Sequence, residues 1–190
     1  MQRWIELLKI SSAKFLKFLF VFCIILLVLV IFTVFVSNYV IVKKYTNKVE
    51  FYSNSYEIDK NLVLAIIKVE SNFNKDAKSD KGAYGLMQLK ISTFDFIKEK
   101  EKLSYEPDIF NESDNIMLGC AYLRYLFTKF NTLKLVLCAY NAGEGNVTKW
   151  LSNKNYSKDG KNLDKIPFNE TRNYYNKVIF YYNLYKKVVR

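Results

Sequence analysis

Residues 18–42 carry no charged side chain, and this run constrains the chain more than any other feature. Within it, Phe18 to Val36 is apolar except for Thr33. A helix of that length can cross the hydrocarbon core of a bilayer. Enclosing it in a soluble core would need partners that are apolar all round, and nothing downstream is. Arg3, Lys9, Lys14 and Lys17 precede the run, and Lys43, Lys44 and Lys48 follow it, so the flanking charge only weakly favours an inside N-terminus. A cleaved signal peptide is the rival reading. Around Ser37, Asn38 and Tyr39 there is no small-x-small cleavage pattern, which favours an uncleaved anchor. Cys23 follows bulky Phe22, unlike a lipoprotein cleavage site. The resulting organisation is a basic segment over 1–17, a transmembrane anchor over 18–42, a polar tether over 43–56, and one globular domain over 57–190.

The chain has no histidine. A Ser-His-Asp triad, a Cys-His pair and a His-liganded zinc are therefore excluded. Cys23, Cys120 and Cys138 lack metal-ligand spacing. Cys120 and Cys138 fall at apolar helical positions and read as small core residues, with a disulfide between them as the alternative. Net charge is +11. Such a balance suits an anionic partner such as phospholipid, nucleic acid or an acidic wall polymer. The basic residues form no stripe along one helix, which speaks against nucleic acid.

Beyond the tether the pattern is mostly helical. Asp59 is positioned as an N-cap, and Leu62, Val63, Ile66, Ile67 and Val69 recur at helical spacing. Gly82 and Gly85 bracket a turn before Leu86-Met87-Gln88-Leu89. Ser92 or Thr93 could cap the next helix. A longer helix is predicted from near Asp114, another from Leu133 to Asn141 with Gly143 stopping it, and a last one from Pro167 and Asn169 onward. Asp159-Gly160 suggests a turn or small hairpin within 153–165.

Glu70 shares a helix face with Val63, Ile66 and Ile67 by steps of three and four. That face is predicted to be buried, and desolvation raises a carboxyl pKa. Asn72, Asn74 and Asp76 imply that the helix ends just beyond Glu70, so the negative end of its dipole acts in the same direction. Both effects favour a carboxylic acid that is still protonated near neutrality, as a general acid requires. The plain alternative is a helix-edge glutamate, half exposed or paired with a lysine.

Four segments extend this reading: Ala65-Ile66-Ile67-Lys68-Val69-Glu70-Ser71-Asn72-Phe73-Asn74, Gly82-Ala83-Tyr84-Gly85-Leu86-Met87-Gln88-Leu89, Ala139-Tyr140-Asn141-Ala142-Gly143, and Ile166-Pro167-Phe168-Asn169-Glu170-Thr171-Arg172-Asn173-Tyr174. In this order and spacing they resemble the family 1 lytic transglycosylases, over roughly residues 57–185. The resemblance implies a mainly α, lysozyme-like fold, α+β at most with a small hairpin. It implies Glu70 as the sole catalytic acid/base. Ser71, Gly85, Met87, Gln88, Tyr140, Asn141 and Tyr174 would bind substrate, with the Tyr174 hydroxyl orienting the Glu70 carboxyl. Residue by residue, Met87 also reads as core filler, Tyr174 as aromatic core, and Gly85 as an ordinary turn.

Most glycosidases use two carboxylates. Asp76, Asp80 and Glu144 make no convincing second, and a single glutamate suffices where the substrate supplies the nucleophile. The resemblance implies cleavage between N-acetylmuramic acid and N-acetylglucosamine in peptidoglycan strands, leaving 1,6-anhydromuramic acid ends, with no metal or cofactor. Two alternatives stay open: a lysozyme-like hydrolase that admits water, and a non-catalytic wall-binding protein. Because its substrate lies outside the cytoplasmic membrane, the expected location is the cell membrane, single-pass, with the domain on the extracytoplasmic side.

Overall fold

The computed structural model of the chain describes residues 15–37 and 39–189. Arg3, Lys9, Lys14 and Asn38, used above, lie outside the described residues. The chain divides into two units, Met1–Lys44 and Tyr45–Arg190. The first helix, α1, spans Gln2–Ser55. From Phe15 onward it is long and apolar enough to cross a membrane, and none of its apolar window is buried within the chain.

The stretch 43–56, read above as a tether, differs from that reading. It is helical through Ser55, and from Tyr45 onward it belongs to the globular unit. Tyr45, Val49 and Ser53, at steps of four, are buried. The Tyr45 ring stacks on Phe73 at 5.7 Å. Lys48 pairs with Glu112 at 2.7 Å. Only one stripe of this segment is buried, so its composition stays polar.

Helix α2 spans Lys60–Ser71, and its Asp59 cap accepts from the Asn61 amide. Leu62 to Ile67 of α2 are all buried. The chain leaves α2 through two successive left-handed residues, Asn72 and Phe73. Strands β1, Ala83–Tyr84, and β2, Leu89–Lys90, pair antiparallel. This is where the small hairpin falls. Residues 153–165 form a loop instead, in which the Asp159 carboxylate accepts from the amides of Lys161 and Asn162. Helix α3, Ile91–Glu101, starts after Lys90 without a side-chain cap, not at Ser92 or Thr93. Helix α4 spans Glu112–Lys129 and is capped by Asn111. Helix α5, Leu133–Ala142, ends at Gly143, and α6, Glu144–Leu151, follows at once. Helix α7, Asn169–Val188, packs along α2.

Leu64, Ile66 and Ile67 of α2, Ile116, Leu118, Leu123 and Leu126 of α4, and Leu137 of α5 are fully buried. Each such side chain contributes ~1.5–3 kcal/mol of burial. Cys120 and Cys138 are buried there as free thiols.

Candidate active site

Glu70 occupies the last turn of α2, one residue before its end, so its carboxyl sits at the negative pole of the helix. Burial pushes its pKa from the ordinary 4.5 up to about 8. The Tyr174 hydroxyl opposes this shift, and the neighbouring charge of Glu170 adds to it. Tyr174, one turn into α7, is buried. Its hydroxyl has no partner at full hydrogen-bonding geometry. It nevertheless lies close enough to Glu70 to favour the ionised carboxylate, and its own pKa is well above the usual phenol range, first by burial and then by Glu70.

A cleft of about 600 Å³ opens on Glu70. One wall comes from the loop, hairpin and α3 start, with Ser79, Asp80, Lys81, Gln88, Lys90 and Thr93. The facing surfaces come from Tyr122 of α4, Tyr140 and Asn141 of α5, and Phe168, Glu170 and Thr171 around the start of α7.

The hairpin turn is fixed from below by Asn115, a residue that sequence reasoning missed. Its side-chain oxygen accepts from the Met87 amide at 2.8 Å, and its nitrogen donates to the carbonyls of Tyr84 at 3.1 Å and Ile109 at 2.8 Å. Gly85 has φ +76°, and a Cβ there would run into Asn115 and the Ile109 carbonyl. Gln88, at φ 48°, donates both N–H groups of its amide to backbone carbonyls, Ala77 at 3.1 Å and Gly85 at 2.9 Å. The Tyr140 hydroxyl donates to the Met87 carbonyl at 2.8 Å, and its ring lies 5.4 Å from that of Tyr122. These bonds tie α5 to the hairpin beside Glu70.

Of the residues singled out from sequence, Glu70, Gln88, Tyr140 and Asn141 line the cleft, and Tyr174 stands behind Glu70. Met87 does not line it. It is fully buried, with its thioether against Gly119, and only its backbone carbonyl serves the site. Gly85 is also buried, and its missing side chain makes room for Asn115 and not for a ligand. Ser71 lies outside the cleft and returns its hydroxyl to the Ile67 carbonyl at 3.1 Å. Tyr122, Thr93, Lys81, Lys90 and Phe168 line the cleft without having been singled out. Asn115 carried one signal: an amide on the apolar face of α4, one turn ahead of buried Leu118 and Gly119. Among the described residues no group of His, Cys, Asp and Glu could hold a metal ion.

The chain is 32% identical over 147 residues to the soluble lytic murein transglycosylase of Escherichia coli, covering 75% of this chain and 23% of that protein. It is 36% identical over 122 residues to the membrane-bound lytic murein transglycosylase C of Photorhabdus laumondii, covering 57% of this chain and 34% of that protein. The chain thus spans about a quarter to a third of the length of these relatives. The crystal structure of an inactive Glu-to-Gln mutant of the lytic transglycosylase Slt from Pseudomonas aeruginosa superposes with a TM-score of 0.66 at 30% identity, over 75% of this chain and 24% of that one. The transglycosylase SLT domain matches residues 47–163, more than half of the chain. It begins within α1, where Val49 and Ser53 enter the core, and the chain belongs to the transglycosylase SLT domain family.

Proposed function

We propose that this chain is a membrane-anchored peptidoglycan lytic transglycosylase with Glu70 as its single acid/base. The observation that carries the proposal is the Glu70 carboxyl itself, pushed up to about 8 by burial and opening on the cleft between the hairpin and α5. Near neutral pH it is mostly protonated and can donate. The relatives are named lytic murein transglycosylases, and a Glu-to-Gln mutant of the P. aeruginosa enzyme is inactive.

In the proposed reaction, Glu70 gives its proton to the glycosidic oxygen between N-acetylmuramic acid and N-acetylglucosamine, and the bond from that oxygen to the muramyl anomeric carbon breaks. The muramyl acetamido oxygen closes transiently on that carbon. Glu70, now ionised, takes the proton of the muramyl 6-hydroxyl. The 6-oxygen then bonds to the anomeric carbon and releases the acetamido group. The product is a 1,6-anhydromuramyl end, and Glu70 finishes protonated. Tyr174 moderates the Glu70 pKa and steadies the carboxylate between the two proton transfers. Tyr140, Asn141 and Gln88 position the sugars. The apolar part of α1 serves as a single-pass anchor, with the globular unit on the extracytoplasmic side.

The test is digestion of purified peptidoglycan by the full chain in detergent, with mass spectrometry of the released ends. The expected ends are lighter by one water than the hydrolytic products. General acid–base assistance is worth ~10²–10⁴ in rate, and both proton transfers use Glu70. Glu70→Gln is therefore expected to lose at least about 99% of turnover. Ends that carry water, or a Glu70→Gln chain keeping more than a tenth of wild-type rate, would overturn the proposal.

A further inference from the structure

The lining of the cleft includes an ion pair that the proposed reaction does not use. Lys81 Nζ donates to both carboxylate oxygens of Glu170, at 2.8 and 2.6 Å. The two residues are 89 positions apart and come from different walls of the cleft. Lys81 is held by a tight turn in which the Gly82 amide donates to the Ser79 carbonyl at 3.0 Å and the Ala83 amide to the Ser79 hydroxyl at 3.1 Å. Glu170 lies in the first turn of α7, where a negative charge is favoured. Both side chains are about two-thirds exposed, at 68% and 65%. An ion pair so wet is held weakly and exchanges readily with another carboxylate.

The chemistry of the walls says which carboxylate. The acidic residues on the cleft are Glu70, Asp80 and Glu170, and the basic ones are Lys81 and Lys90. An anionic strand entering beside Glu170 is repelled unless a cation meets it. Lys81 already binds a carboxylate inside the cleft. We propose that Lys81 is a specificity-determining residue that receives a carboxylate of the muramyl substituent, and that Glu170 holds its place in the resting chain. The carboxylate is either that of the lactyl group or that of an attached stem peptide. The inference rests on the reading of the cleft as a peptidoglycan site. It adds that recognition of the strand is by charge as well as by sugar shape.

The test compares the full-length wild type with Lys81→Gln on three substrates: peptide-free strands with a free lactyl carboxylate, peptide-bearing strands, and strands whose carboxyl groups have been converted to methylamides. Lys149→Gln, exposed on α6 and away from the cleft, controls for net charge. Loss of a charge-assisted contact is expected to raise KM about five-fold in Lys81→Gln, with kcat falling less than about two-fold. The strand type on which this rise appears identifies the carboxylate. On methylamide strands the wild type is expected to show the raised KM already, and Lys81→Gln to add nothing. Binding of the same strands to Glu70→Gln, with and without Lys81→Gln, reads the contact without turnover. The inference is overturned if Lys81→Gln leaves both KM and strand affinity within about two-fold of the parent on every carboxylate-bearing strand. An equal loss on methylamide strands overturns it too. A wild-type chain that binds strands through Lys81 but cuts none would instead sink the proposed reaction and leave this contact standing.

Discussion

The Tyr174 hydroxyl, buried on α7, faces the Glu70 carboxyl at the end of α2 and works against the burial that keeps that carboxyl protonated. Its removal is expected to raise the Glu70 pKa above about 8, because the ionised form loses the hydroxyl that favours it. In Tyr174→Phe the alkaline limb of activity, which reports loss of the donating proton, then moves to higher pH. The maximal rate falls, since the ionised intermediate is no longer steadied. A pH–rate profile of wall solubilisation checks both, and a limb that moves to lower pH contradicts the assignment.

Glu70 also makes stability depend on pH. Its folded-state pKa lies above its unfolded value, so the folded chain binds the extra proton between about 4.5 and 8. The Glu70 contribution to stability is therefore full below about 4.5, declines as pH rises, and is lost above about 8. The loss is on the order of 5 kcal/mol. Glu70→Gln carries no such charge. Its Tm advantage over wild type is expected to grow by roughly 5 °C or more between about pH 5 and about pH 8.5. Parallel melting curves at the two pH values decide this.

Asn115→Ala removes three hydrogen bonds at a site that is 1% exposed. The Met87 amide and two carbonyls lose their partner in the core. The expected cost is about 3 kcal/mol. Activity is expected to fall further than stability requires, because the hairpin turn that carries Gln88 loses its support. Denaturant melts paired with wall-digestion rates at a temperature where both chains are folded separate the two effects.

Gly85 and Gly82 give a matched pair. Both have positive φ, but a Cβ at Gly82 meets open space, whereas at Gly85 it meets Asn115 and the Ile109 carbonyl. Gly82→Ala is expected to cost about 1 kcal/mol, from backbone strain alone. Gly85→Ala adds a collision with backbone and is expected to cost about 3 kcal/mol or more. Thermal melts of the two variants test the difference.

What the sequence disclosed follows the reach of local chemistry. Asp59 as a cap, Glu70 at the end of an apolar face, and Gly143 as a stop are each set by residues within one or two turns, and the structure has all three. For Met87 the sequence leaves a substrate contact and core filler both open, because a methionine in a glycine-flanked turn looks alike whether it points at a ligand or at Gly119, 32 positions away. The 43–56 stretch was hidden because three buried positions among polar ones leave its composition loop-like. The Lys81–Glu170 pair and the Tyr122–Tyr140 contact join segments whose meeting depends on the packing of α2, α4, α5 and α7. No local pattern encodes such a meeting.

Gln88 has committed both of its N–H groups to the carbonyls of Ala77 and Gly85. Its remaining polar valence is the amide oxygen, which can only accept. Under the proposed reaction, a strand passing Gln88 would offer this oxygen a hydroxyl or an acetamido N–H, whereas a carboxylate or carbonyl oxygen would meet a second lone pair.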